Sequence, residues 1–255
     1  MVHAAAFPGA PCYGGSIQKI ISKACKETEI YLNNQVDGIL VENMHDIPYI
    51  QSKHFGPETT AIMTRICTEI GKIVPENVPC GIQILTGGNR EALAVAKACN
   101  FNFIRSEGFV FSHIGDEGLI NADAGLILRY RKNIDAEDIL IFTDIKKKHS
   151  SHSITSDISL IETAKAAEYF LSDGIILTGT STGSPADMQE LNDLKNNSGL
   201  PIIIGSGVTC NNVKDYLDAE AFIIGSHFKN NGFWKNDVSH ERVKSFMNVL
   251  KEIRH

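Results

Sequence analysis

The side chains best suited to chemistry stand where apolar runs end. Gly38–Val41 runs out at Glu42 and Asn43, and Cys80–Leu85 contains Gln83. Asn102–Ser106 carries Arg105 and is followed by Glu107, while Ile139–Thr143 leads into Asp144 and Lys146. Gly174–Leu177 gives way to Thr178, Gly179 and Thr180. Packing alone gives little reason for polar groups at the ends of apolar strands. Carboxylates and a lysine gathered in one site would serve general acid–base chemistry. Adjacent strand residues face opposite ways, so only one of Glu42 and Asn43, and one of Ser106 and Glu107, is expected to face a common site.

Asp144-x-Lys146 is the sharpest local signal, since a spacing of two puts both side chains on one face if the strand continues that far. An aspartate beside a lysine keeps it charged and suits proton donation or enolate stabilisation, whereas desolvation would push the amine towards a nucleophile. Lys147 and Lys148, next in line, read as a solvated patch. His149 follows them. Seven histidines (His3, His45, His54, His113, His149, His152 and His227) fall near the first apolar run or in loops after later ones. None forms an H-x-H or H-E-x-x-H pair, so no metal ligands are assigned, and His3, His113 and His149 are the ones singled out for testing. A divalent metal stays open, and no organic cofactor motif is present.

An anion site is expected further on. Pro201–Lys229 reads as a buried strand (Ile202–Ile204), the turn Gly205–Ser206–Gly207, a short helix, and a second strand (Ala221–Ile224) closing on Gly225–Ser226. Glycine lets backbone approach a phosphate closely, and exposed N–H groups of such turns favour an anion. The alternative is that these glycines only make tight turns. Thr178–Gly183 adds hydroxyls and glycines but no Walker sequence, and the glycines at 205–207 do not complete a dinucleotide fingerprint.

The elements that must position these groups alternate. Ser16 caps a helix with Ile17, Ile20, Ile21 and Ala24 at helical spacing; Pro57–Val74, Asn89–Cys99, Asp123–Arg131 and Asp157–Leu171 follow as helices, with Asn89 as a cap. Ser184–Pro185 opens another, and Ser239 caps the last. His3–Phe7 is the first strand, and Glu107–Asn121 is a loop. Eight strands alternating with eight helices give an α/β fold, a (β/α)8 TIM barrel, as a single domain over 1–255. Strands such as ILIF, GIIL and PIII are apolar throughout, as strands covered on both faces are. In such a barrel the phosphate site lies after strands seven and eight, which is where the two Gly-Ser turns fall.

Composition sets limits. Of 255 residues, 43% are hydrophobic and 21% charged, and the net charge is −6. That charge argues against a nucleic-acid partner. No apolar run approaches the roughly 18 residues of a membrane span. Six cysteines lie scattered without a C-x-x-C pair, as small core residues in a reducing compartment. The start, MVHAAAFPGAP, shows neither a secretory signal nor an arginine-rich leader, so the expected compartment is the cytoplasm or the mitochondrial matrix. A homo-oligomer remains compatible with all of this.

Several stretches taken in order resemble the BtpA/SgcQ family of the ribulose-phosphate-binding barrel superfamily. They are Met1–His3 with Pro8–Gly9, Asp37–Gly38 with Glu42–Asn43, Phe103–Glu107 (FIRSE), Asp144 with Lys148–His149, Asp173–Gly174 with Thr178–Gly179, and Gly205–Thr209 (GSGVT). Where many bacterial members have Asn and a charged turn after the third strand, this chain has Gln83 and Thr86–Gly87–Gly88. The resemblance implies a TIM barrel with a phosphate-binding end, but carries over no catalytic residue. Its eponymous member is linked to photosystem I biogenesis; others are described as metabolic enzymes or a nucleoside triphosphatase, and animal members are often assigned to mitochondria.

The expected function is therefore that of an enzyme acting on a small phosphorylated metabolite of sugar-phosphate type, by lyase, isomerase or aldolase chemistry. Glu42, Glu107, Asp144, Lys146 and His149 are the catalytic candidates. Asn43, Gln83, Arg105, Thr178, Gly179, Gly205, Ser206, Gly207, Gly225 and Ser226 are the ligand-binding ones. The alternatives are a metal-dependent phosphohydrolase and a non-catalytic assembly factor.

Overall fold

The computed structural model describes residues 1–254. The chain divides into two compact units, one of residues 1–106 and 126–140, the other of residues 107–125 and the chain from 141 onward.

The first unit contains β1 (Val2–His3), α1 (Ile17–Asn33), β2 (Ile39–Glu42), α2 (Pro57–Gly71), β3 (Cys80–Gln83), α3 (Asn89–Cys99) and β4 (Phe103–Ser106). The four strands pair in parallel in sequence order, joined by helical crossovers. Ser16 caps α1 as its sequence predicts, its hydroxyl accepting from the Lys19 amide. The register places His3 beside Glu42 and Glu42 beside Gln83, so three polar groups form a row at the C-terminal ends of apolar strands. Asn89 does not cap α3; it is the first helical residue, and Gly88 holds the cap position without a side-chain bond.

The second unit begins with a small antiparallel sheet that the sequence pattern does not reveal. The segment expected to be a loop, 107–121, forms the hairpin β5 (His113–Gly115) and β6 (Gly118–Ile120). After it come α4 (Ala124–Asn133), most of which belongs to the first unit, and β7 (Leu140–Asp144). A third strand, β8 (Ser150–Ser151), joins the hairpin along β5. These strands are two or three residues long and rich in Gly, Ser and His, so they lack the apolar alternation by which a strand is read. Then follow α5 (Leu160–Tyr169), β9 (Gly174–Leu177), α6 (Met188–Asn197), β10 (Ile202–Ile204), β11 (Ala221–Phe222) and α7 (His240–Arg254). Strands β7, β9, β10 and β11 pair in parallel in that order.

Two predicted helices are corrected. The helix expected at Ser184–Pro185 starts only at Met188, because Asp187 caps it by accepting from the amides of Gln189 and Glu190. The helix expected after Gly207 is a single 3-10 turn, Val213–Tyr216. There the Asn212 carboxamide oxygen takes the Thr209 amide and hydroxyl, while its NH2 donates to the Gly207 carbonyl. Such side-chain bonds compete with helical ones. Seven α-helices, not eight, are formed among the described residues.

Helix α5 is anchored by a complete capping box: Ser159 Oγ accepts from the Glu162 amide at 3.1 Å, and Glu162 accepts from the Ser159 amide at 2.8 Å. Ser159→Ala is expected to cost about 1 kcal/mol. Urea unfolding at neutral pH measures it, and an unchanged midpoint would contradict the assignment.

Candidate active site

Within the second unit, three segments bring charged side chains together. Glu107 follows directly on β4 and is buried, at 4% exposure. Hairpin β5–β6 contributes His113 from its first strand and Glu117 from its turn. Strand β7 ends on the buried Asp144, after which the chain turns through Lys146 at φ +48°. The strand ends at Asp144, before the left-handed Lys146, so the two do not stand on one strand face, although both line the crevice described below. Lys146 instead points its ammonium at backbone, donating to the carbonyls of Ile158 at 2.7 Å and Thr155 at 3.3 Å.

Lys147 makes the ion pairs of this cluster. Its ammonium lies 3.3 Å from Glu107 Oε2 and 3.9 Å from Glu117 Oε1, with 10% of the side chain exposed. The expectation that Lys147 is a solvated surface residue is thus overturned. Burial works against its charge, but Glu107, Glu117 and Asp144 together more than offset that and raise its pKa above the ordinary lysine value.

A narrow crevice, with a cavity volume of about 10 Å³, is lined by Phe111, His113, Asp144, Lys146, Lys147 and His152, among others. His113 and His152 face each other with ring centroids 5.5 Å apart. His152 donates its Nε2–H to the Lys147 carbonyl at 3.0 Å. His113 is 4% exposed, and its Nε2 has no hydrogen-bond partner in the chain. Burial first, then the positive charge of Lys147 and the nearby His152, push its pKa down to about 4 against the opposing pull of Asp144. A charged ammonium beside an uncharged imidazole sets a fixed positive charge and a hydrogen-bonding ring side by side, an arrangement able to stabilise developing negative charge. Among the described residues, no three His, Cys, Asp or Glu side chains gather as metal ligands.

His149 does not line this crevice. Its Nε2 accepts from the Thr182 amide at 3.0 Å and pairs with the Thr182 hydroxyl at 2.8 Å, while its own amide donates to the Thr180 carbonyl. The ring therefore ties the 178–184 loop to the segment after β7. Burial, followed by the charge of Lys148, holds its pKa below the usual histidine value.

The glycine turns are occupied by the chain's own backbone. Ser206 Oγ accepts from the Gly179 amide at 2.8 Å and donates to the Ser184 carbonyl at 2.9 Å. Gly207 has φ +72°, and a Cβ there would fall 2.3 Å from Ser184 O and Pro185 N. At Gly179 a Cβ would fall 2.5 Å from the carbonyl oxygens of Ser184 and Pro185. Part of the demand for small residues at Gly179, Ser206 and Gly207 thus comes from packing the Ser184–Pro185 segment. The Thr178 hydroxyl is buried beside them with no partner in the chain. Gly225 and Ser226 lead into a three-residue 3-10 turn. There His227 Nε2 lies 3.4 Å from Cys210 Sγ, and Arg242 grips the His227 carbonyl and Nδ1. That cluster had no signal in spacing, because its members come from three distant segments.

In the first unit, Glu42, Gln83 and Arg105 are all buried at strand ends. Asn43 is engaged with backbone: its Oδ1 accepts from the Leu85 amide at 2.8 Å and its Nδ2 donates to the Leu85 carbonyl at 3.5 Å. It holds the chain leaving β3.

The described chain has a TIM-barrel fold. It is similar to thiamine phosphate pyrophosphorylase from Pyrococcus furiosus, with a TM-score of 0.58 and 10% identity over 91% of both chains. It is also similar to orotidine 5'-phosphate decarboxylase from Pyrococcus horikoshii, with a TM-score of 0.56 and 13% identity over 91% of this chain and 94% of that one. At such identities the likeness shows the fold alone, that of a TIM barrel. More narrowly, the chain belongs to the BtpA family, which it matches over residues 1–252. It is 44% identical to an uncharacterized protein of Caenorhabditis elegans named as mitochondrial, over all of this chain and 92% of the relative. It is 31% identical to the photosystem I biogenesis protein BtpA of Synechocystis, over 99% of this chain and 87% of the relative. No described helix is long and apolar enough to cross a membrane.

Two outcomes follow from the buried pair. Lys147→Met leaves two buried carboxylates without their ammonium and is expected to destabilise the chain by about 3–5 kcal/mol; a loss under about 1 kcal/mol in urea unfolding, the range of an exposed pair, would contradict the burial. Because the folded pKa of His113 lies below its free value of 6.5, the native state prefers the neutral ring. Its contribution is present above pH 6.5 and is lost as the pH falls towards 4. The Tm of His113→Gln should therefore fall less than that of the parent between those limits, and parallel curves would refute it.

Proposed function

We propose that this chain is an enzyme that transfers protons on a small phosphorylated metabolite of sugar-phosphate type. The observation that carries the proposal is the buried Lys147 ammonium, clamped by Glu107 and Glu117, beside an uncharged His113 on a narrow crevice. Lys147 would donate a proton or stabilise developing negative charge, and His113 or Asp144 would accept one. Glu42, Gln83 and Arg105 are further candidates from the first unit, with Lys146 and His149 as positioning residues. The phosphate end is assigned to the turns at Gly205–Gly207 and Gly225–Ser226. Support comes from the fold, since both solved relatives are named for phosphorylated compounds. The worm relative's name favours the mitochondrion as compartment.

A second reading, that of an assembly factor, is favoured by one feature and by the name of the Synechocystis relative. Tyr169, Phe170 and Leu171, at the end of α5, are 83%, 45% and 67% exposed, a run of surface apolar groups of the kind that docks proteins.

A thermal-shift screen of sugar phosphates, with and without magnesium or manganese, separates the two. A ligand at about 100 times its Kd should raise Tm by roughly 5–10 °C. Turnover of the compound found should fall at least about 100-fold in Lys147→Arg, which keeps the charge but not the point geometry. No shift with any phosphorylated compound would leave the assembly reading.

A further inference from the structure

The loop that follows β9 hangs on one side chain. Both ends of residues 178–184 are fixed against the Gly205–Gly207 turn. Ser206 Oγ accepts from the Gly179 amide and donates to the Ser184 carbonyl, and a Cβ on Gly207 would fall 2.3 Å from Ser184 O. The tip of the loop, residues 180–183, is held differently. Ser181 bonds to Ser184 inside the loop. Among the described residues, every hydrogen bond that leaves the tip for another segment ends on His149. The His149 amide donates to the Thr180 carbonyl at 3.3 Å, and its Nε2 meets the Thr182 amide at 3.0 Å and the Thr182 hydroxyl at 2.8 Å.

A backbone amide can only donate, so Nε2 carries a bare lone pair and the neutral ring keeps its proton on Nδ1. A proton on Nε2 would set two N–H groups against each other. The Thr182 hydroxyl can turn and accept, but the amide cannot. His149 is an exposed residue, so protons from bulk water reach it. The charged groups that act on the ring are Lys148 and Lys147, from its own segment, and Asp116, from the turn between β5 and β6; residues 178–184 bring none. Burial and the two lysines outweigh Asp116 and hold the pKa below 6.5. The bond to the amide is therefore intact above that pH and is lost as the pH falls through the folded value.

We propose that His149 is a proton-operated latch: the neutral ring holds the tip of the 178–184 loop to the segment after β7, and the protonated ring releases it and loosens the adjoining Gly205–Gly207 turn. The latch rests on the proposed function only in the assignment of phosphate to that turn, and it makes the phosphate end pH-sensitive.

The test follows amide exchange in the full chain by NMR, with rates corrected for the pH dependence of exchange itself. In the parent, protection of the Thr182 amide is expected to fall about tenfold between about pH 7.5 and about pH 5. His149→Gln offers a carboxamide oxygen that accepts from the same amide and does not titrate, so it should show no such fall. His149→Ala should lack the protection throughout. Equal pH dependence in the parent and His149→Gln, or protection kept in His149→Ala, overturns the latch. Sulfate, a dianion across this range, is expected to shift the Gly207 amide signal and to bind the parent more weakly at the lower pH, but His149→Gln equally at both. Equal binding by the parent at both would sink the coupling to the turn. If sulfate moves Gly207 while Thr182 protection ignores pH, the latch fails and the phosphate assignment stands. If Thr182 responds while neither sulfate nor any phosphorylated compound binds, the latch on the loop stands and the phosphate assignment fails.

Discussion

A buried ammonium must be held by opposite charge, and that constraint organises the second unit around Lys147. Removing it from water costs several kcal/mol unless carboxylates compensate. Glu107 and Glu117 do so from two different segments, one at the end of a strand and one in a hairpin turn. The small antiparallel sheet is what brings the second of them into place. Glu117 stands in the turn between β5 and β6, and β8 pairs with β5 on its other edge. Structure and chemistry meet here: the packing that makes the buried ion pair tolerable also buries His113 and leaves its ring uncharged.

The strand ends were legible in the sequence because apolar runs seldom stop on polar residues for the sake of packing. Glu42, Gln83, Arg105, Glu107 and Asp144 all occupy buried positions at or just after such ends. Lys146 and Lys147 show where that reasoning fails. Alternation holds only while the backbone stays extended, and it ends before Lys146, whose φ is +48°, while Lys147 is the one that pairs with the carboxylates. Nothing in the run Lys146–Lys147–Lys148 marks which residue adopts that conformation. The hairpin was equally hidden, since its strands are too short to show a period, and the Cys210–His227–Arg242 cluster joins segments that only tertiary structure brings together.

The glycine turns were legible as turns but not in their purpose. Gly179 and Gly207 are small because backbone from Ser184 and Pro185 passes within reach of where a Cβ would stand. A glycine that admits a ligand and a glycine that admits the chain look alike in sequence, and one residue can do both. Ser206 likewise serves two segments, holding both with one hydroxyl. The phosphate assignment therefore leans on the family's fold as well as on these turns, whereas the proton-transfer assignment leans on side-chain geometry and on the charge states of Lys147 and His113.

The proposed chemistry depends on two protonation states within one crevice, and both can be read directly. A pH titration of the full chain by NMR, following the Lys147 side chain and the His113 ring, is the decisive measurement. The structure predicts that Lys147 remains charged past the ordinary lysine pKa and that His113 stays neutral down to about pH 4. A lysine that loses its proton near neutral pH, or a His113 that titrates near 6.5 like a solvated ring, would contradict it.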